Sequence, residues 1–264
     1  MTGTAGHQAG LWFERSGQGP DLLLLHGWSM HSEIWSFFKD ALSEHFRVTT
    51  IDLPGHGRSH GFKPESPADF SNRILDIAPE GTIAVGWSLG GLLLLDSLSR
   101  SPSHFGGAVL IASSPKFSRG LGWPGVSHAA LAGMEESLQE DYGETLRRFV
   151  SLQTLGQAGA RDLSKSINDL LNRQPAPAPW ALQWGLSVLA HADFRDQVSR
   201  SALPMLAILG ARDRLIPAQV AEAFSRLNPQ IQVLLLKDAA HIPFLTHSAE
   251  VCEAIVRFAH DCKG

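Results

Sequence analysis

Short aliphatic runs recur along this chain, separated by stretches in which apolar and polar residues alternate with helical spacing. Leu22–Leu25, Val48–Ile51, Thr82–Val85 and Ala108–Ala112 are nearly all apolar. Runs of that length without a polar face predict strands covered on both sides, as in a parallel sheet. Ile34–Leu42, Asp69–Ile77 and Gly91–Leu98 predict helices between them. Strand, helix, strand in repeated order predicts an α/β fold built on a mostly parallel, doubly wound sheet. The rhythm stops between about Ser114 and Ala192, where the pattern predicts only helices: Gly133–Gln139, Glu144–Leu155, Ala160–Arg173 and Trp180–Ala190. Pro175, Pro177 and Pro179 make a stiff kink before the last of them. The pattern then resumes with strands Met205–Leu209 and Gln232–Leu236 and helices Ala218–Leu227 and Ala249–His260. The expected organisation is a core from residues 1–113 and 193–264, with 114–192 inserted as a helical cap over one end of the sheet.

The candidate chemistry starts at Ser88, in Gly86-Trp87-Ser88-Leu89-Gly90. This G-x-S-x-G follows a predicted strand and opens a predicted helix. A serine on so tight a turn is pushed into a strained, exposed conformation, and the glycines let strand and helix approach. Amides at the helix start favour negative charge beside it.

A serine hydroxyl needs a base, and the base needs an orienting acid. Among twelve histidines, His241 follows the strand Gln232–Leu236 in a loop, at the sheet edge where open α/β folds build their sites. His247 sits close to the next helix start and reads as a cap or surface residue. Asp213 follows the strand Met205–Leu209 at the same edge, with Asp238 as runner-up. The order Ser, Asp, His is that of the α/β-hydrolases. For an oxyanion, the expected donors are the amide of Leu89, next after the serine, and the amide of Trp28, in the loop after Leu22–Leu25. His26 is expected to bond neighbouring loops. Asp52–Ser59 lacks the spacing of a phosphate-binding loop and reads as a turn that shapes the site.

Composition narrows the alternatives. The 264 residues are 44% hydrophobic and 18% charged, with a net charge of −4, so nothing calls for nucleic acid or an anionic membrane. Two late cysteines, Cys252 and Cys262, make neither a disulfide framework nor a zinc set. No aliphatic run approaches a membrane span, and the first ten residues lack the basic start and apolar stretch of a signal peptide. The expectation is a soluble cytoplasmic monomer that uses no metal or organic cofactor.

His26-Gly27-Trp28, Asp52–Ser59, Gly86–Gly90, Asp213 and His241 together resemble the α/β-hydrolase superfamily over essentially the whole chain. A narrower resemblance adds Gly91, Ala112–Pro115, Arg148-Phe149, Leu152–Thr154 and Ala239–His241. These are similar to the esterase family that removes the methyl group from a pimeloyl chain carried on acyl carrier protein during biotin synthesis. The resemblance implies substrate contacts at Trp28, Ser88, Leu89, Phe149, Val150, Ser151, Leu152, Gln153 and His241. It also implies acyl carrier protein as partner, docked on basic residues of the cap. Arg148 and Arg161 match that pattern, and Lys165 keeps the charge without the bidentate fork. Arg147 lies beside them, while Glu144 stands where a basic residue is expected. A solvated helix face, ion-paired within itself, is the competing reading of Arg147, Arg148, Arg161 and Lys165. Trp123, Met134, Phe149, Leu152, Leu155 and Trp184 are candidates for an apolar acyl tunnel or for the cap's own core.

Three other functions use the same residues: a broad short-chain carboxylesterase, a carbon–carbon bond hydrolase acting on ring-cleavage products, and a ligand receptor without activity. Dehalogenases and epoxide hydrolases place aspartate where this chain has Ser88.

Overall fold

Alternation within the buried strands sets the layers. In the computed structural model, which describes residues 3–262, Leu22 and Leu24 face one apolar cluster while Leu23 and Leu25 face the other. The strands are β1 (Thr4–Gln8), β2 (Leu11–Ser16), β3 (Asp21–Leu25), β4 (Arg47–Ile51), β5 (Thr82–Trp87), β6 (Phe105–Ile111), β7 (Met205–Gly210) and β8 (Gln232–Leu236). They form one sheet in the order β1-β2-β4-β3-β5-β6-β7-β8. From β4 to β8 every pair is parallel, and β1 and β2 add an antiparallel edge. Helices α1 (Ser36–Ser43) and α11 (Ser248–Asp261) supply Phe38, Leu42, Val251 and Ile255 to one face. Helices α2 (Pro67–Ile77), α3 (Leu89–Arg100) and α9 (Gln219–Leu227) cover the other with Phe70, Ile74, Leu92 and Phe224.

Between β6 and β7 the chain leaves the sheet. It forms α4 (His128–Glu140), α5 (Tyr142–Thr154), α6 (Ala160–Leu171) and α7 (Pro179–His191), and returns through α8 (Arg195–Arg200). The side chains of Ser127 and Asp141 cap α4 and α5 by accepting from Ala130 and Glu144 amides. The only extended pairing in this stretch, among the described residues, is a pair of isolated bridges, Ser118 with Val126 and Gly120 with Trp123. A one-turn helix, α10 (Pro243–Thr246), precedes α11.

The sequence reading missed the β1–β2 hairpin. Its strands lie at the edge, and every residue of β1 is at least partly exposed, so no apolar run marks it. Its two-residue turn has both φ values positive, Ala9 at 52° and Gly10 at 85°; alanine hides the usual Asn-Gly signal there. Helix α8 was also missed, because six residues give too short a period to read.

Asp52, just after β4, anchors the loops at the sheet's upper edge. It is fully buried, and its carboxylate accepts the Ser32 amide at 2.6 Å and the Arg58 amide at 2.8 Å. The Asp52→Ala protein leaves two amides unpaired and is expected to lose roughly 2–4 kcal/mol. Urea unfolding checks this; an unchanged midpoint would refute it.

Candidate active site

Parallel strands bring their C-terminal ends to one rim, and the loops after β3, β5, β7 and β8 meet there. Ser88 adopts φ 53° and ψ −118° between β5 and α3. Its amide donates to Ile111 at 3.0 Å, and its carbonyl accepts from Gly91 at 3.0 Å. The Ser113 hydroxyl donates to the same carbonyl at 2.7 Å. The turn admits no side chain at Gly86, where a Cβ would stand 2.5 Å from the Gly91 Cα.

The Ser88 hydroxyl donates to His241 Nε2 at 3.0 Å, and His241 Nδ1–H donates to Asp213 Oδ2 at 2.7 Å. The other Asp213 oxygen accepts the amides of Leu215 at 2.7 Å and Ile216 at 3.0 Å. These bonds use up the carboxylate's free directions and leave Nε2 with the lone pair that faces Ser88. Arg212 N–H donates to the Ala239 carbonyl at 2.9 Å, tying the Asp213 loop to the His241 loop. Trp87 Nε1–H donates to the His241 carbonyl at 2.9 Å. The runner-up acid, Asp238, is exposed and paired with Arg212.

Gly27 brings the β3 loop against the serine: a Cβ on it would stand 3.3 Å from the Ser88 Cβ. Among the described residues, the amides of Trp28 and Leu89 have no hydrogen-bond acceptor within the protein. A polar amide left free beside the serine can receive an oxyanion. The loop's orientation comes from His26, which is fully buried. Its Nε2 accepts from the Leu53 amide at 2.9 Å and its Nδ1–H donates to the Gly27 carbonyl at 2.8 Å.

Helices α5 and α7 cover these residues. Phe149 meets the Trp28 ring edge-on, centroids 4.8 Å apart. Trp28 Nε1–H donates to the Leu182 carbonyl at 2.9 Å. A Cβ on Gly185 would stand 2.6 Å from Trp28 Cδ1 and 3.0 Å from Leu89 Cδ2, so the α7 backbone lies directly on both side chains. Gln153 is buried, and its backbone carbonyl accepts the His241 amide at 3.2 Å. Ser88 is only 3% exposed.

Not every expected contact converges here. Ser151 is exposed, and its hydroxyl bonds back to the Arg147 carbonyl. Val150 packs into the cluster on the α1–α11 side of the sheet. Phe149 and Leu152, with Met134, Thr145 and Arg148, border a separate cavity of about 250 Å³ between α4 and α5. Trp123 serves the helical segment's attachment instead: its indole N–H is shared between Ser114 Oγ and the Lys116 carbonyl, and its ring abuts Phe224. Leu155 is half exposed, and Trp184 packs edge-on against Phe70. On the outer face, Glu144 pairs with both Arg147 and Arg148 at 2.9 Å, whereas Arg161 and Lys165 have no ion pair among the described residues. Ser113 and Trp87 support the site without a local sequence signal beyond their neighbourhood to the motifs, whereas His26 bonds the loops on either side as its sequence position suggested.

A buried alcohol, imidazole and carboxylate in line, with free amides beside the alcohol, define a serine hydrolase site. The pattern of the alpha/beta hydrolase family matches residues 22–254, and the chain belongs to that family. Its relatives include the pimeloyl-[acyl-carrier protein] methyl ester esterase of Edwardsiella ictaluri, 39% identical over 94% of this chain and 97% of that protein. The enzyme of the same description from Methylococcus capsulatus is 38% identical over 94% of this chain and 98% of that protein. Among solved structures, an esterase from Exiguobacterium antarcticum superimposes with a TM-score of 0.84 at 20% identity, covering 95% of each chain. A bromoperoxidase from Bacillus anthracis gives 0.83 at 22% identity over 94% of each; at these identities the likeness is one of fold.

Burial also sets the pH response. It pushes His26 well below its ordinary value of 6.5, and His56 down to about 4. His31 is lowered too, by the same cause, against the pull of Asp52. The folded protein keeps these rings neutral where the unfolded chain takes up protons. The stability they contribute is complete above about pH 6.5 and is lost as the pH falls from there towards 4. Each ring adds a slope of up to about 1.4 kcal/mol per pH unit in that window. Urea unfolding at pH 7.5, 6.5 and 5.5 measures it, and equal free energies at the three would contradict the assignment.

Proposed function

We propose that this protein is a serine carboxylesterase that hydrolyses the methyl ester of a pimeloyl chain carried on acyl carrier protein, in biotin synthesis. The observation that carries the reaction is the line from Ser88 Oγ to His241 Nε2 at 3.0 Å and from His241 Nδ1 to Asp213 at 2.7 Å, set on the turn of G-x-S-x-G. The substrate rests on the methyl ester esterases that are 35–39% identical over 93–95% of the chain.

The chemistry follows from which atom holds each proton. His241 Nε2 takes the Ser88 proton as Oγ attacks the ester carbonyl. The carbonyl oxygen gains charge, which the Trp28 and Leu89 amides receive. Asp213 steadies the imidazolium and keeps its ring aligned. His241 then gives the proton to the departing methoxy oxygen, and methanol leaves. Water, deprotonated by the same nitrogen, attacks the acyl-enzyme, and the free carboxylate departs as Ser88 regains its proton. No step calls for a cofactor.

Residues 114–192 act as a cap in this reading, with Phe149 and Gln153 nearest the acyl chain. Arg161 and Lys165, without an ion pair among the described residues, and Arg147 and Arg148, held by Glu144, are the cations offered to an acidic carrier. No helix among the described residues is long and apolar enough to cross a membrane. A cytoplasmic location fits a reaction on a soluble carrier.

Ser88→Ala and His241→Ala are each expected to lower kcat/KM by about 10⁴ or more on any ester substrate, with folding intact. The carrier-bound methyl ester is expected to be hydrolysed more efficiently than a free short-chain methyl ester, with an advantage that shrinks as salt rises. Equal efficiency on the two would defeat the carrier assignment while leaving the esterase standing. In cells, the gene and not its Ser88→Ala form should restore biotin-free growth to a strain lacking this esterase.

A further inference from the structure

The loop that carries His241 is held from two sides. From the core, the Trp87 indole N–H holds the His241 carbonyl at 2.9 Å. From the helical segment, the Gln153 carbonyl accepts the His241 amide at 3.2 Å. Gln157 Oε1 accepts the preceding amide, Ala240 N–H, also at 3.2 Å. The loop of the acid meets the same stretch, since Arg212 Nη1–H donates to the Gly156 carbonyl at 3.2 Å. Three residues at and just past the end of α5, Gln153, Gly156 and Gln157, therefore bond to the two loops that complete the site.

These bonds are made in a structure whose site is covered. Ser88 is 3% exposed and His241 is fully buried, so the segments packed over them limit access to the serine. The end of α5 is one of those segments. Any shift that draws Gln153 and Gln157 away from residues 240–241 also takes the acceptor from two successive amides of the base's own loop. What then remains on the loop is the Trp87 bond to the His241 carbonyl, the Arg212 amide on the Ala239 carbonyl and the Asp213 carboxylate on His241 Nδ1, with the amides of Ala240 and His241 left without acceptors.

We propose that Gln157 is a positioning residue for His241, fixing the base's loop only while the cap is seated, so that cap closure and alignment of Nε2 on the Ser88 hydroxyl are a single event. This rests on the hydrolase reading above. Its side chain touches no reacting atom; it acts through the Ala240 peptide. Substrate-driven closure assembles the base, and an open cap leaves the serine poorly activated, which limits idle attack by Ser88 on the wrong acyl groups.

The test uses the whole protein and a free short-chain ester, so that carrier recognition plays no part. Gln157→Leu removes the acceptor at similar size. Its kcat is expected to fall roughly five- to hundredfold, the range between losing one hydrogen bond and misplacing a catalytic group by about 1 Å. KM should stay within about twofold of the parent value, because no substrate contact is removed. Labelling of Ser88 by a serine-directed phosphonate should slow by the same factor as kcat. Gln157→Glu keeps an acceptor oxygen and should restore kcat to within about threefold of the parent. Unchanged kcat in a folded Gln157→Leu protein overturns the proposal. So does a raised KM with unchanged kcat, which would make Gln157 a binding or gating residue. If Gln157→Leu does not fold, Gln157→Met carries the same comparison. Ser88→Ala hydrolysing the ester at the parent rate would be a failure of the hydrolase reading, not of this one.

Discussion

The backbone conformation of one residue underlies the whole rim. Ser88 at φ 53° and ψ −118° is strained for any residue with a side chain, at about 1–3 kcal/mol. Three hydrogen bonds oppose that cost: its amide to Ile111, and its carbonyl from Gly91 and from the Ser113 hydroxyl. At about 1 kcal/mol net for each, they offset the strain and little more. The hydroxyl is thus held out by a near balance between β5, β6 and α3, and packing of the neighbouring glycines removes the room for relaxation. The loop that brings Ser113 follows β6, so the sheet's own pairing supports the serine from the side opposite Gly27.

With the serine fixed, the other two groups have to arrive from far along the chain. His241 is 153 residues from Ser88 and 28 from Asp213. Only the strand order makes that distance short. β3 and β5 lie at the middle, β6, β7 and β8 follow on one side, and all run parallel, so their C-terminal ends share one edge. The carboxylate is then oriented by its own turn, through the Leu215 and Ile216 amides, before it meets the imidazole. Orientation acts locally and delivery acts through the sheet, so either can fail without the other.

Legibility in the sequence followed the same division. The central strands were readable because burial on both faces erases polar positions, leaving plain aliphatic runs at β3, β5, β6 and β7. Ser88 was readable because its turn demands glycines at fixed offsets. Asp213 and His241 were readable from their place just past a strand. The β1–β2 hairpin was not, since an exposed edge imposes no apolar period and Ala9 takes a backbone angle it rarely adopts. Ser113, Gln157 and Trp87 carry no local signature either. Each acts on a residue 25, 83 or 154 positions away, and nothing in the flanking residues marks the partner. Ser151 shows the converse, a position placed near substrate by resemblance whose side chain turns to solvent because helical geometry puts it a half-turn from Phe149.

Histidine chemistry divides the same way between structure and reaction. In His26 both ring nitrogens are engaged by backbone, one accepting from Leu53 and one donating to the Gly27 carbonyl. No lone pair remains to act as a base. Yet the Gly27 carbonyl and the Trp28 amide belong to one planar trans peptide and point opposite ways. Holding that carbonyl down therefore turns the Trp28 N–H up, towards the oxygen of an acyl group bound at Ser88. This works only while Nε2 can accept, that is, while the ring is neutral, and burial enforces neutrality by pushing its proton affinity well below the ordinary value. His241 differs at both nitrogens: its Nδ1–H meets the Asp213 carboxylate instead of a backbone carbonyl, and its Nε2 faces a side-chain hydroxyl instead of an amide. An amide cannot surrender its proton to imidazole, and a serine can, so one buried ring sets the oxyanion donor while the other moves the proton.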